Sequence, residues 1–146
     1  MSRRLSIPAD VQNLAAVRAF VRTSVTDLGG SQRAADDLVQ AVDEVACNVM
    51  LHGYGGKPGE VEIEIEALVE EQQLEVRILD RAPVFDPTAA PAVDTSLPPV
   101  SKRPGTMGVG IHLARTMTDE VRHDVRPGGG NALTLVRSIE ARTEED

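Results

Sequence analysis

Glu44 and Asn48 stand four residues apart in the run Asp43-Glu44-Val45-Ala46-Cys47-Asn48. On an α-helix, residues at this spacing project from the same face, one turn above the other. An amide oxygen is a hard, neutral ligand that suits Mg²⁺, which bridges phosphates and keeps several of its waters. A carboxylate one turn away could accept a hydroxyl proton during phosphoryl transfer. Taken alone, such a pair is more simply a polar helix flank turned to water.

Asp80 is the second candidate, because it follows an alternating apolar stretch that ends at Leu79. A carboxylate at the end of a strand can accept a hydrogen bond from an exocyclic amine such as that of adenine. An aspartate that only initiates a turn gives the same pattern. Asp80 alone therefore does not distinguish an adenine contact from an ordinary turn.

The third candidate is the glycine-rich stretch from Gly105 to Gly110, which leads into an apolar helix that carries Ile111 and Leu113. Glycines let backbone N–H groups approach phosphate oxygens, and the amino end of a helix adds partial positive charge. Lys102, just upstream, could add a cationic contact to a terminal phosphate. An ordinary turn before a helix is the competing interpretation.

Five strands and three helices would have to position these residues. Alternating or helical apolar spacing predicts strands at Arg3–Ile7, around Val61–Ile65, and at Gln72–Leu79, Glu120–Val125 and Ala132–Ile139, with helices at Val11–Leu28, after Ser31 and after Gly110. Asp10 and Ser31 are the predicted helix caps. Helices gathered on one face of a mixed, mostly antiparallel sheet make an α/β two-layer sandwich.

A proline-rich segment interrupts this order. Six of the nine prolines lie between Pro83 and Pro104. Proline removes backbone donors and fixes φ, so we expect a loop there, and a loop of about 20 residues in a small domain tends to be a functional lid. The predicted organisation is one domain over residues 1–140, a lid over about 81–107, and an acidic tail over 141–146.

Composition narrows the possible functions. The net charge of -8 argues against a direct nucleic-acid partner, which would need a basic surface. The single Cys47 cannot form an internal disulfide, which fits a reducing interior. No apolar run approaches the roughly 20 residues that cross a bilayer, so we expect no membrane partner and a cytoplasmic protein.

The three candidate boxes together resemble a known arrangement. Glu-x-x-x-Asn on a helix, Asp at a strand end and Gly-x-Gly before a helix form the box order of the Bergerat-type ATPases. Three strings narrow the resemblance to the anti-sigma-factor serine/threonine kinases of partner-switching systems, and they run Glu44-Val45-Ala46-Cys47-Asn48, Gly108-Val109-Gly110-Ile111-His112-Leu113 and Gly130-Asn131-Ala132-Leu133-Thr134. The resemblance spans nearly the whole chain.

The resemblance implies roles for individual residues. Glu44 takes the general-base position, Asn48 the Mg²⁺ position and Asp80 the adenine position. The residues implied to contact the nucleotide are Asn48, Asp80, Ala82, Lys102, Gly108, Val109, Gly110, Ile111 and Thr134. The resemblance also implies ATP and Mg²⁺ as cofactors, an antagonist protein phosphorylated on serine or threonine, a sequestered sigma factor and a homodimer.

One departure from the family pattern leaves an alternative open. The family has Asp-x-Gly-x-Gly after the adenine aspartate, whereas this chain has Ala82 and Val84 at the glycine positions. If either position needed φ > 0, a Cβ would cost about 1–2 kcal/mol, and the added methyl groups would crowd the adenine, so nucleotide binding could be about tenfold weaker. A catalytically weak or inactive interaction module therefore stands beside the active kinase. A sensor histidine kinase is less favoured, because Met1–Leu28 contains no phospho-acceptor histidine.

Several other residues have plainer interpretations. His52 is expected to end a helix, and His112 and His123 lack partners at metal-ligand spacing. Cys47 is expected to be a small buried hydrophobe. The row formed by Glu62, Glu64 and Glu66 is expected to be a solvated strand face.

Overall fold

A computed structural model describes residues 1–89 and 111–139, and the predicted order of elements is confirmed there. The strands are β1 Ser2–Pro8, β2 Glu60–Leu68, β3 Gln73–Asp80, β4 Glu120–Val125 and β5 Asn131–Ser138. The α-helices are α1 Leu14–Asp27, α2 Gln32–Asn48 and α3 His112–Met117. Short helical turns occupy Val11–Asn13, Val49–Gly53 and Pro87–Ala89.

The sheet has the strand order β1-β2-β3-β5-β4, and each of its pairings in the described residues is antiparallel. The expected mixed character is therefore not found in this part of the chain. Alternation along β2 sends Val61, Ile63 and Ile65 to one face, where all three are fully buried. That face and the helices share one hydrophobic core.

Helix α2 begins directly after its predicted cap, whereas α1 begins at Leu14, after a short helical turn over Val11–Asn13. The Ser31 side chain accepts a hydrogen bond from the backbone N–H of Ala34 at 3.0 Å, which satisfies one of the free donors at the start of α2. Asp10 caps the short turn before α1 by accepting from Gln12. The apolar stripe of α2, with Leu38, Val42 and others fully buried, then packs on the sheet.

The outer face of the sheet is ion-paired rather than simply solvated. Arg4 lies 3.0 Å from both Glu62 and Glu64, and Arg77 lies 2.5 Å from Glu64. Cross-strand register places these side chains side by side. Such half-exposed pairs contribute little to stability, but they cover the outer face with charge.

The connection after α2 determines where that helix ends relative to the sheet. The Tyr54 hydroxyl donates to the Glu60 carbonyl and accepts from the Arg81 N–H, both at 2.8 Å. The Tyr54 ring lies over Gly59, where a Cβ would come within 2.2 Å of it. The last turn of α2 is thereby held beside the end of β3.

A buried ion pair fixes the opposite end of β5. Arg137, 6% exposed, donates to Asp37 on α2 at 2.8 Å. This pair attaches the carboxyl end of β5 to the helix layer, six residues along the strand from Asn131.

No described helix is both long enough and apolar enough to cross a membrane.

Candidate functional site

A cavity opens between the carboxyl end of α2, the adjoining ends of β3 and β5, and the segment that follows β3. Its lining residues are Val45, Asn48, Val49, His52, Gly53, Ile78, Asp80, Ala82, Pro83, Phe85, Pro87, Ile111, His123, Asn131 and Leu133. The wall is mostly apolar. Its carboxylate is that of Asp80 on β3, and its two carboxamides are those of Asn48 on α2 and Asn131 on β5. A flat apolar ring with polar edges suits such a cavity.

Asp80 is the buried carboxylate of this cavity, with 3% of its surface exposed. Its Oδ1 atom accepts hydrogen bonds from the backbone N–H of Ala82 and from Asn131 Nδ2, both at 2.9 Å. Burial raises the pKa of Asp80 above its ordinary value, while the bonds from Asn131 and Ala82 partly oppose that rise. The side chain is therefore held rigidly at the cavity wall as a hydrogen-bond acceptor.

Ala82 lies in the cavity wall without backbone strain. Within the described residues, Gln72 is the one non-glycine residue with a positive φ, so neither Ala82 nor Val84 needs a glycine. A Cβ built on Gly53 would lie 3.2 Å from the Ala82 methyl carbon. At this contact Gly53, which ends the helical turn after α2, has no side chain, and Ala82, in the segment that follows β3, supplies the methyl group. The strain considered from the sequence is absent.

Glu44 lies one turn before Asn48 but contacts α3 rather than the cavity. Its two carboxylate oxygens accept from the backbone N–H groups of Leu113 at 3.2 Å and Ala114 at 2.9 Å. Burial raises the pKa of Glu44, whereas these two bonds and the nearby His112 act in the opposite direction. A carboxylate at the first turn of a helix also complements the helix dipole. Glu44 therefore anchors the helix that follows the glycine-rich stretch.

The structure brings some of the predicted residues together and separates one of them. Asn48, Asp80, Ala82 and Ile111 line the cavity, and Glu44 lies beside it. Lys102, Gly108, Val109 and Gly110 lie outside the described residues, as do most of the lid and the predicted tail.

Thr134 is the residue that the structure places elsewhere. It pairs with Arg77 and Arg122 across the sheet, between the core residues Leu133 and Leu135. Alternation therefore turns its side chain to the face opposite the helices. The expected contact between Thr134 and the adenine side does not fit this position. Asn131, three residues earlier, is the residue of β5 that meets Asp80.

Two histidines that sequence reasoning set aside also line the cavity. His52 stands in the helical turn after α2, and His123 projects from β4 with 5% of its side chain exposed. The signal for Asn131 was its place directly after Gly128-Gly129-Gly130, where a hairpin returns to the end of β3. For His123, alternation alone indicated only that it shared a face with Val121 and Val125.

The donor set of the cavity fits a magnesium–nucleotide complex better than a protein-held metal. The described residues contain no group of three or more His, Cys, Asp and Glu side chains that could hold an ion. Mg²⁺ commonly takes one or two protein oxygens and completes its shell with phosphates and water. The Asn48 carboxamide at the cavity wall can supply one such oxygen.

Comparison with known proteins identifies the fold. Residues 7–137 match the histidine kinase-like ATPase domain. The chain belongs to that family. It is 28% identical to serine-protein kinase RsbW of Bacillus pumilus over 141 residues, covering 89% of this chain and 82% of that protein. It is also 30% identical to RsbW of Listeria monocytogenes, over 81% of this chain and 76% of that one.

Further relatives extend the similarity. An anti-sigma F factor of Clostridium acetobutylicum is 24% identical over 137 residues, covering 92% of this chain and 92% of that protein. A solved structure of the RsbU and RsbW domains of a Mycobacterium tuberculosis protein superposes with a TM-score of 0.66 at 20% identity, over 97% of this chain and 34% of that one. The resemblance to the anti-sigma-factor kinases is confirmed, and the fold is that of the histidine kinase-like ATPases.

Proposed function

We propose that this chain is an ATP-dependent serine/threonine protein kinase that phosphorylates a small antagonist protein and also sequesters a sigma factor. The observation that carries the proposal is the convergence of Asp80 and Asn48 on one cavity, with Glu44 one helical turn from Asn48. Relatives named as serine-protein kinases and anti-sigma factors support the reaction and the partners.

Adenine would bind at the apolar end of the cavity. Asp80 would accept a hydrogen bond from the exocyclic amine, and Ile78, Leu133 and Phe85 would pack against the ring. The buried, prearranged carboxylate suits this role, because a site built to accept a hydrogen bond discriminates against ligands without the donor.

The phosphates would extend from this end toward Asn48 and the amino end of α3. Asn48 would hold Mg²⁺, which when bound neutralises charge on the phosphates during transfer. Lys102 and the turn formed by Gly108, Val109 and Gly110 remain the predicted phosphate contacts.

Glu44 would act as the general base on the protein substrate. The serine or threonine oxygen forms a bond to the terminal phosphorus, its proton passes to the Glu44 carboxylate, and the bond to the leaving ADP oxygen breaks. Burial raises the pKa of Glu44 and so makes it a better proton acceptor, while the N–H bonds from Leu113 and Ala114 act in the opposite direction and favour its ionised form. Positioning and charge neutralisation supply most of the acceleration.

The partners and the setting are part of the same proposal. A sigma factor and an ATP supply would place the chain in the cytoplasm, and we expect it to act as a homodimer. The net charge of -8 is consistent with protein rather than nucleic-acid partners.

The alternative of an inactive interaction module relied on strain at Ala82 and Val84. Neither residue has a positive φ, so that strain does not arise, but methyl groups that would crowd the adenine keep the alternative open. Calorimetric titration with Mg-ATP, followed by transfer of labelled phosphate to a candidate antagonist protein, separates the two functions. Binding with transfer supports the kinase, whereas binding without transfer to any antagonist supports the module.

A further inference from the structure

Asn131 uses every hydrogen-bonding position of its side-chain amide. Its Nδ2 donates to Asp80 Oδ1 at 2.9 Å and to the Pro83 carbonyl at 3.2 Å. Its Oδ1 accepts from the Phe85 N–H at 3.0 Å and lies 2.7 Å from His123 Nε2. Because the Pro83 carbonyl can only accept and the Phe85 N–H can only donate, the partners determine the orientation of the amide.

The fixed orientation of the Asn131 amide determines the tautomer of His123. Since Asn131 Oδ1 can only accept, the nitrogen at 2.7 Å must carry a hydrogen, so the neutral ring is the Nε2–H form. His123 is almost completely buried and itself lines the cavity. A donor on β4 thereby holds an amide on β5, and that amide holds the carboxylate at the end of β3.

Gly130 allows this approach. Its φ is +102°, and a Cβ there would come within 2.2 Å of the Asp80 carbonyl oxygen. The backbone of the β4–β5 turn therefore closes on the end of β3, and the short Asn131 side chain reaches both Asp80 and the segment that follows it. Arg126 donates to the Asp80 carbonyl at 3.1 Å and supports the same closure.

We propose that Asn131 and His123 are positioning residues for nucleotide recognition, which set the Asp80 carboxylate and the Pro83–Phe85 wall in the geometry that reads the adenine amine. The inference rests on the proposed function, because it assigns Asp80 to the adenine. Neither residue needs to touch the nucleotide. Losing either one should therefore reduce the preference for the 6-amino group more than it reduces binding as such.

The test compares Mg-ATP with the magnesium complex of purine riboside triphosphate, which lacks the 6-amino group. Calorimetric dissociation constants give a preference ratio for each protein. We expect the wild-type chain to prefer ATP by at least about tenfold, since a hydrogen bond to a buried carboxylate is at stake. Asn131→Ala and His123→Leu should each reduce the ratio to about threefold or less. His123→Gln, which keeps an N–H donor, should restore most of it.

A matched control distinguishes positioning from general destabilisation. Asp37→Asn weakens the buried pair with Arg137, about 20 Å along the strand from Asn131, and should lower Tm while the ratio is kept. An unchanged ratio in folded His123→Leu, or an equal loss of the ratio in Asp37→Asn, would overturn the inference. If Asn131→Ala does not fold, the two His123 variants decide. A wild-type chain that binds neither nucleotide refutes the proposed function itself, and the inference with it.

Discussion

The Oε1 atom of Glu44 lies 2.9 Å from the backbone nitrogen of Ala114, so that a carboxylate on α2 anchors the first turn of α3. The other oxygen accepts from the adjacent Leu113 N–H at 3.2 Å. The proposed general base therefore also fixes the helix that follows the glycine-rich stretch. Two variants can separate these roles.

Glu44→Gln should abolish phosphotransfer while α3 stays anchored, because the amide oxygen still accepts one N–H but cannot take a proton. We expect a loss of about 10²–10⁴-fold in single-turnover transfer of labelled phosphate. The dissociation constant for Mg-ATP should change little. Retained transfer would remove Glu44 from the role of base.

Glu44→Ala should lose the same activity and also loosen α3. Removing a side chain that caps a helix costs about 1 kcal/mol. Amide hydrogen exchange should accelerate at both Leu113 and Ala114 in this variant, and at only one of the two in Glu44→Gln, whose amide keeps a single acceptor oxygen. Equal exchange in the two variants would show that the carboxylate does not anchor the helix.

Asp80→Asn should weaken ATP binding while keeping or raising stability at neutral pH. Burial raises the pKa of Asp80 above 3.8, so the folded chain holds that proton more tightly than the unfolded chain. The resulting stability is present below the ordinary pKa and is lost as pH rises through the raised one. At neutral pH the buried charge is therefore a cost that Asn removes. Thermal unfolding and Mg-ATP titration, each at pH 7, test the pair of outcomes, and a lower Tm in Asp80→Asn would contradict them.

Thr134→Val should leave ATP affinity within about twofold of wild type, which is about 0.4 kcal/mol, because the side chain lies on the far face. The side chain lies in register with Arg77 and Arg122, away from the cavity. Asp80→Asn serves as the positive control in the same titration. A tenfold weakening in Thr134→Val would restore the adenine contact expected from the sequence.

Gly53→Ala should destabilise the fold, because its new Cβ would lie 3.2 Å from that of Ala82. Overpacking of this kind costs about 1–3 kcal/mol. Ala82→Gly alone relieves no backbone strain and should not strengthen ATP binding. The double variant Gly53→Ala with Ala82→Gly moves the methyl group from one residue to the other. It should recover at least half of the lost free energy of unfolding, measured in urea. Strictly additive effects would show that the two residues do not share this contact.

The sequence predicted the elements well because local patterns decide them. The alternation Val61, Ile63, Ile65 places one face of β2 in the core in any sheet, and Ser31 can cap a helix without knowledge of what that helix packs against. The antiparallel hairpins also followed from short turns between alternating runs. The boxes around Glu44, Asn48 and Asp80 were equally local, because each depends on a spacing within one element and its exit.

Tertiary structure decided which side chains meet. The contacts of Asn131 with Asp80 and His123 depend on the register of three strands, and a shift of one residue would turn each side chain to the other face. The same register places the Thr134 side chain on the face of the sheet away from the cavity. Backbone angles at Ala82 and the contact of Glu44 with α3 likewise arise only when elements distant in sequence pack together. Sequence periodicity specifies faces, whereas pairing between faces is a property of the folded chain.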